Sequence, residues 1–236
     1  MLFKTVLFDL DGTLLPLDVE EFLQIYTTSL AGKIAHITEP KSFVARLIDA
    51  TGKMIGDKDP ASTNQEVFWR HFLKGIEDLE DDLMPILDEF YSKDFPKLGS
   101  YINADRKAAE LVKQLKQQGF RVVLATNAIF PRIAVIHRMR WAYLDPEDFE
   151  FITTYENMHY CKPHLEYYQE IMEHLQEDPT NCIMVGNDIE EDMIAGSLGM
   201  KTFLLENLVI DRGSKTPYDY RGDLNLLSQV LGLQKD

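Results

Sequence analysis

Little in this sequence suits an oxidising compartment, a membrane or a nucleic acid. Two cysteines, Cys161 and Cys182, stand among 236 residues. They are too few for a disulfide framework and do not form a C-x-x-C pair. Apolar runs are short, and none approaches the ~18 consecutive apolar residues of a membrane span. The opening stretch, Met1-Leu2-Phe3-Lys4-Thr5-Val6-Leu7-Phe8-Asp9, puts charge into too short an apolar run for a signal peptide. A reducing cytoplasm is the expected setting. Basic residues are scarce, 24 Lys and Arg against 39 Asp and Glu, for a net charge of -15. Such a surface repels polyphosphate, which argues against duplex DNA or RNA as the primary partner. A small anion feels mainly its own site, so a phosphate-bearing ligand needs a metal ion or a local Lys to overcome the global sign. There is no internal repeat and no low-complexity tract.

The composition itself is that of a globular protein. At 45% hydrophobic and 27% charged residues, disorder, collagen and coiled coil are poor readings. A chain this long buries about 70–75% of its unfolded surface, enough for a full core. Five apolar, β-branched runs at 2–8, 121–125, 149–153, 182–185 and 201–205 end in polar or turn residues. Their near-continuous apolarity fits strands buried on both faces of a parallel sheet. Helical periodicity lies between the last four. One helix is predicted over 103–118, with Ala108, Leu111, Val112 and Leu115 on one face, Asn103 as its cap and Gly119 at its end. Pro131 and Pro163 take first helical positions. This rhythm predicts an α/β doubly wound domain whose ligands bind at the carboxyl ends of strands.

Residues from about 18 to 99 break the alternation. They read as four helical segments, with Asp18…Glu21 and Thr63…Glu66 as capping boxes. Breaks fall near Thr38-Glu39-Pro40, Gly56-Asp57-Lys58-Asp59-Pro60 and Asp94-Phe95-Pro96. About 80 residues suffice for a small helical unit, inserted between the first strand and the rest of the sheet. Phe68, Trp69 and Phe72 read as its core rather than as a substrate box. The acidic run 77–82 reads as a solvated helix start.

The first strand runs into Asp9-Leu10-Asp11-Gly12-Thr13. One reading is an Asp-Gly turn in which Asp11 bonds its own backbone. The sharper reading is two carboxylates aimed into one crevice, one a nucleophile and the other a proton carrier. These residues resemble the first signature of the haloacid dehalogenase superfamily of phosphotransferases, and the helical insertion resembles that family's C1-type cap. The resemblance implies a Rossmann-like core of residues 1–17 and 97–236 and a helical cap of 18–96, with hinges at 14–18 and near 97–101.

The family's later signatures have their slots here too. Thr126 ends the run Val123-Leu124-Ala125, followed by Asn127; its hydroxyl and nearby N–H groups can hold a phosphoryl oxygen without adding charge. Cys161-Lys162-Pro163 supplies a Lys before a helix, whose ammonium neutralises phosphate and nucleophile. Acids follow the fourth strand in Val185-Gly186-Asn187-Asp188-Ile189-Glu190-Glu191-Asp192. They suit either a helix N-terminus or a hard cation such as Mg²⁺. Here the sequence departs from the pattern, because Asn187 follows Gly186 and Asp188 comes one place late.

The resemblance implies a Mg²⁺-dependent phosphatase acting on a small phosphorylated metabolite through an aspartyl-phosphate. Asp9 is then the nucleophile and Asp11 the general acid and base, with Thr126 and Lys162 assisting. Gly12, Thr126, Asn127 and Lys162 contact the phosphate. Mg²⁺ is held by Asp9, Asp11 and an acid from the fourth strand, Asp188 or its rival Asn187, with Asp192 in support. Asp at position 11 sets the chain apart from dehalogenases of the fold. A sugar-phosphate mutase of the superfamily shares all the motifs, and a catalytically inactive binding member is a further alternative. A receiver-like signalling domain is about half this length and lacks the insertion. His159 and His164 flank Lys162 and read as surface residues. Cys161, beside the same cation, is either a thiol of lowered pKa or a spectator.

Overall fold

A computed structural model describes residues 3–233; Leu2, where the first expected run begins, lies outside them. Strand β1 (Thr5–Phe8) opens the chain. After it come helices α1 (Val19–Ile34), α2 (Pro40–Gly56), α3 (Asn64–Phe72), α4 (Glu80–Glu89) and, across a π-helical turn, α5 (Phe95–Leu98). The remainder alternates as far as β4: α6 (Lys107–Gln117), β2 (Arg121–Leu124), α7 (Arg132–Trp141), β3 (Phe151–Ile152), α8 (Leu165–Leu175) and β4 (Cys182–Gly186), followed by β5 (Lys201–Leu205), β6 (Tyr220–Gly222) and α9 (Leu224–Val230).

The strands form one parallel sheet in the order β3-β2-β1-β4-β5-β6. This is the expected α/β doubly wound, Rossmann-like class, with a helical insertion. Central β1 is buried at every position, which its unbroken Thr-Val-Leu-Phe apolarity requires. Val6 and Phe8 face one apolar cluster, which continues into the insertion through Phe22, Tyr26 and Phe43. Leu7 faces the other, built with Tyr167, Tyr168 and Ile171 of α8. The chain reverses direction across the sheet between β1 and β4, and such a switch point opens a crevice at the strands' carboxyl ends.

The structure moves several expected boundaries. Helix α6 starts at Lys107 rather than near Asn103, because Asp105 Oδ1 accepts the Lys107 N–H at 3.0 Å. Gly119 ends it as expected, at φ +85°. Pro131 precedes α7, whose first N–H is taken by Glu156 at 2.8 Å. Pro163 also stands outside its helix, which begins at Leu165, since 161–164 form the loop that carries Lys162. The break foreseen at Asp94-Phe95-Pro96 is bridged by the π turn at Phe90–Asp94 and α5, where Pro96 sits in the first turn and costs no hydrogen bond. Strand β6 was not foreseen. It is three residues at the sheet edge with Arg221 exposed, and has no apolar run to show.

The insertion is held to the sheet by aromatic packing and by Asn64. Phe22 lies 6.2 Å from Phe130 and Phe95 stacks on Trp141 at 5.3 Å. At the start of α3 the unsatisfied N–H groups of Asn64 and Gln65 find Met158 and Tyr155 carbonyls, each at 2.8 Å. The Asn64 side chain, fully buried, donates to the carbonyls of Ala128 and Tyr160, both at 3.1 Å. Cys161 is buried, its Sγ 3.8 Å from the Ala128 carbonyl. Burial pushes its thiol pKa up despite the neighbouring Lys162, and raises that of Cys182 to about 12. Of the two readings of Cys161, burial favours the spectator thiol.

Asn64→Ala removes two hydrogen bonds to the Ala128 and Tyr160 carbonyls, and a loss of about 2 kcal/mol is expected from urea unfolding. The thiols give a second check. Neither should react with a disulfide reagent at pH 8 in the folded protein, and both should react once it is unfolded.

Candidate active site

Asp9 follows β1 directly. Its backbone N–H is fixed to the Val185 carbonyl at 2.9 Å, so the carboxylate leaves the sheet at the switch point. Three residues on, Gly12 turns the chain at φ +83°, and a Cβ there would stand 2.2 Å from Asn187 Nδ2. The close approach lets Thr13 Oγ1 donate to Asn187 Oδ1 at 3.0 Å, tying the β1 loop to the β4 loop.

Lys162 reaches the same point from the loop before α8. Its Nζ is 2.9 Å from Asp9 Oδ1 and 2.6 Å from Asp192 Oδ1, and the side chain is 1% exposed. Burial works against its charge, but the carboxylates of Asp192 and Asp9 outweigh it and hold the pKa well above the ordinary lysine range. Asp192 Oδ2 also accepts the Asp188 N–H at 2.9 Å. Gly186 makes room for this carboxylate, since a Cβ there would lie 2.1 Å from Asp192 Oδ2.

Thr126, at the end of β2, lines the crevice. Its carbonyl is held by the hydroxyls of Thr153 and Tyr167, each at 2.7 Å. The Asn127 side chain accepts from the Lys162 N–H at 3.2 Å and donates to Glu191 at 3.1 Å. It thus braces the Lys162 loop as well as lining the crevice. His164 bonds the Ile55 carbonyl and His159 bonds Glu170, away from the crevice as expected.

Asp11 is the surprise. Its Oδ2 pairs with Arg138 Nη1, while Oδ1 is buried without a partner. Burial raises its pKa, opposed by the Arg138 guanidinium. Arg138 is itself 1% exposed, lies 4.5 Å over the Phe130 ring, and has Nε and Nη2 buried without partners. The sequence reading missed it. The signal was there, since Arg138 falls on the inward stripe Ala134, Val135, Arg138 and Met139 of α7.

The two rivals of the β4 loop are both engaged. Asn187 Nδ2 donates to the Leu208 carbonyl at 2.6 Å. Asp188 Oδ1 accepts the N–H groups of Glu190 and Glu191, at 2.9 and 3.0 Å, and Oδ2 takes Arg212 Nη1 at 2.6 Å. Arg212 lies in the irregular segment after β5, where no periodicity could have marked it.

Asp9, Asp11, Asp188, Glu191 and Asp192 therefore share a cavity of about 120 Å³ with Arg138 and Arg212. With Lys162, three cations face five carboxyls, and burial raises the pKa of Asp11, Glu191 and Asp192. An all-oxygen set with excess acid suits a hard divalent cation, so the residues fit such a metal. Among the described residues no three or more His, Cys, Asp or Glu side chains gather closely enough to hold one. A metal here has to draw on a backbone or amide oxygen as well.

Comparison with known proteins agrees with this architecture. A model of the family described as haloacid dehalogenase-like hydrolase matches residues 3–198. Pyrophosphatase PpaX of Bacillus cereus (strain ATCC 10987 / NRS 248) is 25% identical over 240 residues, covering 100% of this chain and 98% of that protein. The crystal structure of a HAD phosphatase from Thermococcus onnurineus superposes with a TM-score of 0.62 at 19% identity, covering 99% of this chain and 100% of the other. The HAD-hydrolase YfnB from Bacillus subtilis, in a structure bound to magnesium, gives 0.58 at 20% identity, covering 98% and 99%. The two structures establish likeness of fold, and the family match, spanning most of the chain, establishes descent: this chain belongs to the haloacid dehalogenase-like hydrolases.

Proposed function

We propose that the chain is a Mg²⁺-dependent phosphatase that hydrolyses a small-molecule phosphate monoester. One observation carries the reading: the buried Lys162 ammonium bonded to both Asp9 and Asp192 at the switch point of the sheet. This arrangement gives an anionic nucleophile a cation that can also receive phosphoryl oxygens, in a chain whose overall charge opposes them. Phosphoryl transfer asks mostly for positioning and charge stabilisation.

In this reading Asp9 attacks phosphorus in line and forms an aspartyl-phosphate. The P–O bond to the alcohol breaks as the leaving oxygen takes a proton from Asp11. A water then opens the aspartyl-phosphate and yields its proton to Asp11, giving alcohol and inorganic phosphate. Thr126 and the neighbouring N–H groups orient the phosphoryl oxygens, with Gly12 and Asn127 beside them. Arg138 holds the Asp11 carboxyl in place. The divalent cation, when bound, neutralises phosphoryl oxygens. Asp9, the Asp11 carbonyl and Asp188, with Asn187 as rival, would hold it, and the magnesium bound to YfnB supports the choice of metal. Residues 18–96 act as a cap on a core of 1–17 and 97–236, excluding water from the site.

A second reading, hydrolysis of inorganic pyrophosphate, draws on the name of the PpaX relatives. Arg138 and Arg212 on the cavity wall supply cations for a second phosphate.

Phosphate release from a panel of monoesters and pyrophosphate, with Mg²⁺ and with EDTA, tests both readings. Wild type should turn over with Mg²⁺ only. Asp9→Asn, nearly isosteric, should remain folded by circular dichroism and lose detectable turnover. Asp11→Asn should cost about 10²–10⁴-fold in kcat. Wild-type turnover in Asp9→Asn would falsify the mechanism, and a marked preference for pyrophosphate would favour the second reading.

A further inference from the structure

A second, larger cavity adjoins the catalytic one. It encloses about 350 Å³, roughly twice the ~150 Å³ that admits a benzene in an engineered core, and is within the usual ~300–1,000 Å³ of small-molecule sites. Leu23, Ile129 and Phe130 line both cavities, so the two share a wall. The larger one lies between α1, α2 and α3 on the insertion side and the segment after β2.

Its lining carries no charged residue. Its polar groups are engaged with one another or with their own helices. Tyr26 and Tyr91 hydroxyls bond at 2.7 Å, Thr27 donates to the Leu23 carbonyl at 2.7 Å, and Thr51 donates to that of Leu47 at 2.8 Å. Tyr155 and Trp69 also line it. A sugar or a nucleoside placed here would bury hydroxyls without partners, at a cost that apolar contact does not return. Phe68 and Phe72, buried as expected of core residues, also form its wall. Leu23 and Ile48, both exposed, mark the side open to solvent.

We propose that this cavity receives the leaving group of the substrate, so that the ester cleaved is the monophosphate of a largely apolar alcohol. The proposal rests on the phosphatase reading and names its substrate class. The phosphate is held among Asp9, Lys162 and Thr126, the bridging oxygen faces the Asp11 side, and the hydrocarbon crosses the shared wall at Phe130. Inorganic pyrophosphate, whose leaving group is charged, leaves the cavity unused.

A series of n-alkyl phosphates from ethyl to hexyl separates this from leaving-group chemistry, which barely changes along it. The expected result is a kcat/KM that rises about three- to fourfold per methylene, on the order of a hundredfold across the series. Gly52 lines the cavity, and a Cβ there meets nothing within 4 Å. Gly52→Leu should therefore flatten the series by filling the space. A wild-type series that is flat or falling, with polar esters cleaved faster, overturns the cavity assignment and leaves the phosphatase reading standing. If no ester is hydrolysed, the phosphatase reading fails, and calorimetric titration with the matching alkylphosphonates still decides the cavity. Affinity that climbs with chain length supports it, and affinity independent of length refutes it.

Discussion

The structure around the crevice depends on one ammonium group. Lys162 Nζ sits 2.9 Å from Asp9 and 2.6 Å from Asp192 with almost no solvent contact. Taking three charges out of water is expensive, and such clusters seldom stabilise a fold more than apolar packing would. What the cluster does is fix geometry. Asp9 comes from β1, Asp192 from the turn after β4, and Lys162 from the loop before α8. Each needs its own accommodation: the Val185 carbonyl under Asp9, the bare Gly186 under Asp192, and the Asn127 amide against the Lys162 backbone. In a chain of net charge -15, a cation held in place this way makes the crevice a local exception to the overall sign.

The insertion changes what these charges are worth. Its aromatic residues pack on the segment after β2, and Leu23, Ile129 and Phe130 line both the cavity beside them and the crevice that holds Asp9. Apolar surroundings weaken screening, so each ion pair acts more strongly than it would in water. The same surroundings leave Asp11 and Arg138 almost without alternatives to one another. Two of the guanidinium nitrogens and one carboxyl oxygen are left buried without partners, a cost a protein tolerates chiefly at a site that works.

Much of this could be read from the sequence, and the reasons for the rest are physical. Buried strands announce themselves, so β1, β2, β4 and β5 were legible within a residue or two where the described chain permits comparison. Edge strand β6 was not, because it buries little and its Tyr-Arg-Gly carries no apolar run. That Asp9, Thr126 and Lys162 come to one crevice was legible through motifs that resemble the family's signatures, each at a strand end or before a helix. Arg138 was not, because a basic residue on a helix reads as surface until its stripe is matched to the core. Arg212 was beyond reach, since a loop residue 24 positions from Asp188 has no local pattern to bring it there.

The late acid of the β4 loop has a structural account as well. The extra residue lets Asn187 bridge the Thr13 hydroxyl and the Leu208 carbonyl, while Asp188 closes its own turn and pairs with Arg212. A cation competing for Asn187 has to break a buried hydrogen bond that fastens the β1 loop beside Asp9. A cation competing for Asp188 has only to displace Arg212, whose side chain is 49% exposed and regains water on leaving. Ion pairs of that exposure contribute little. The carboxylate also offers a cation more than the neutral amide does, so of the two side chains Asp188 would be the less costly for a cation to engage, with Arg212 holding it in place.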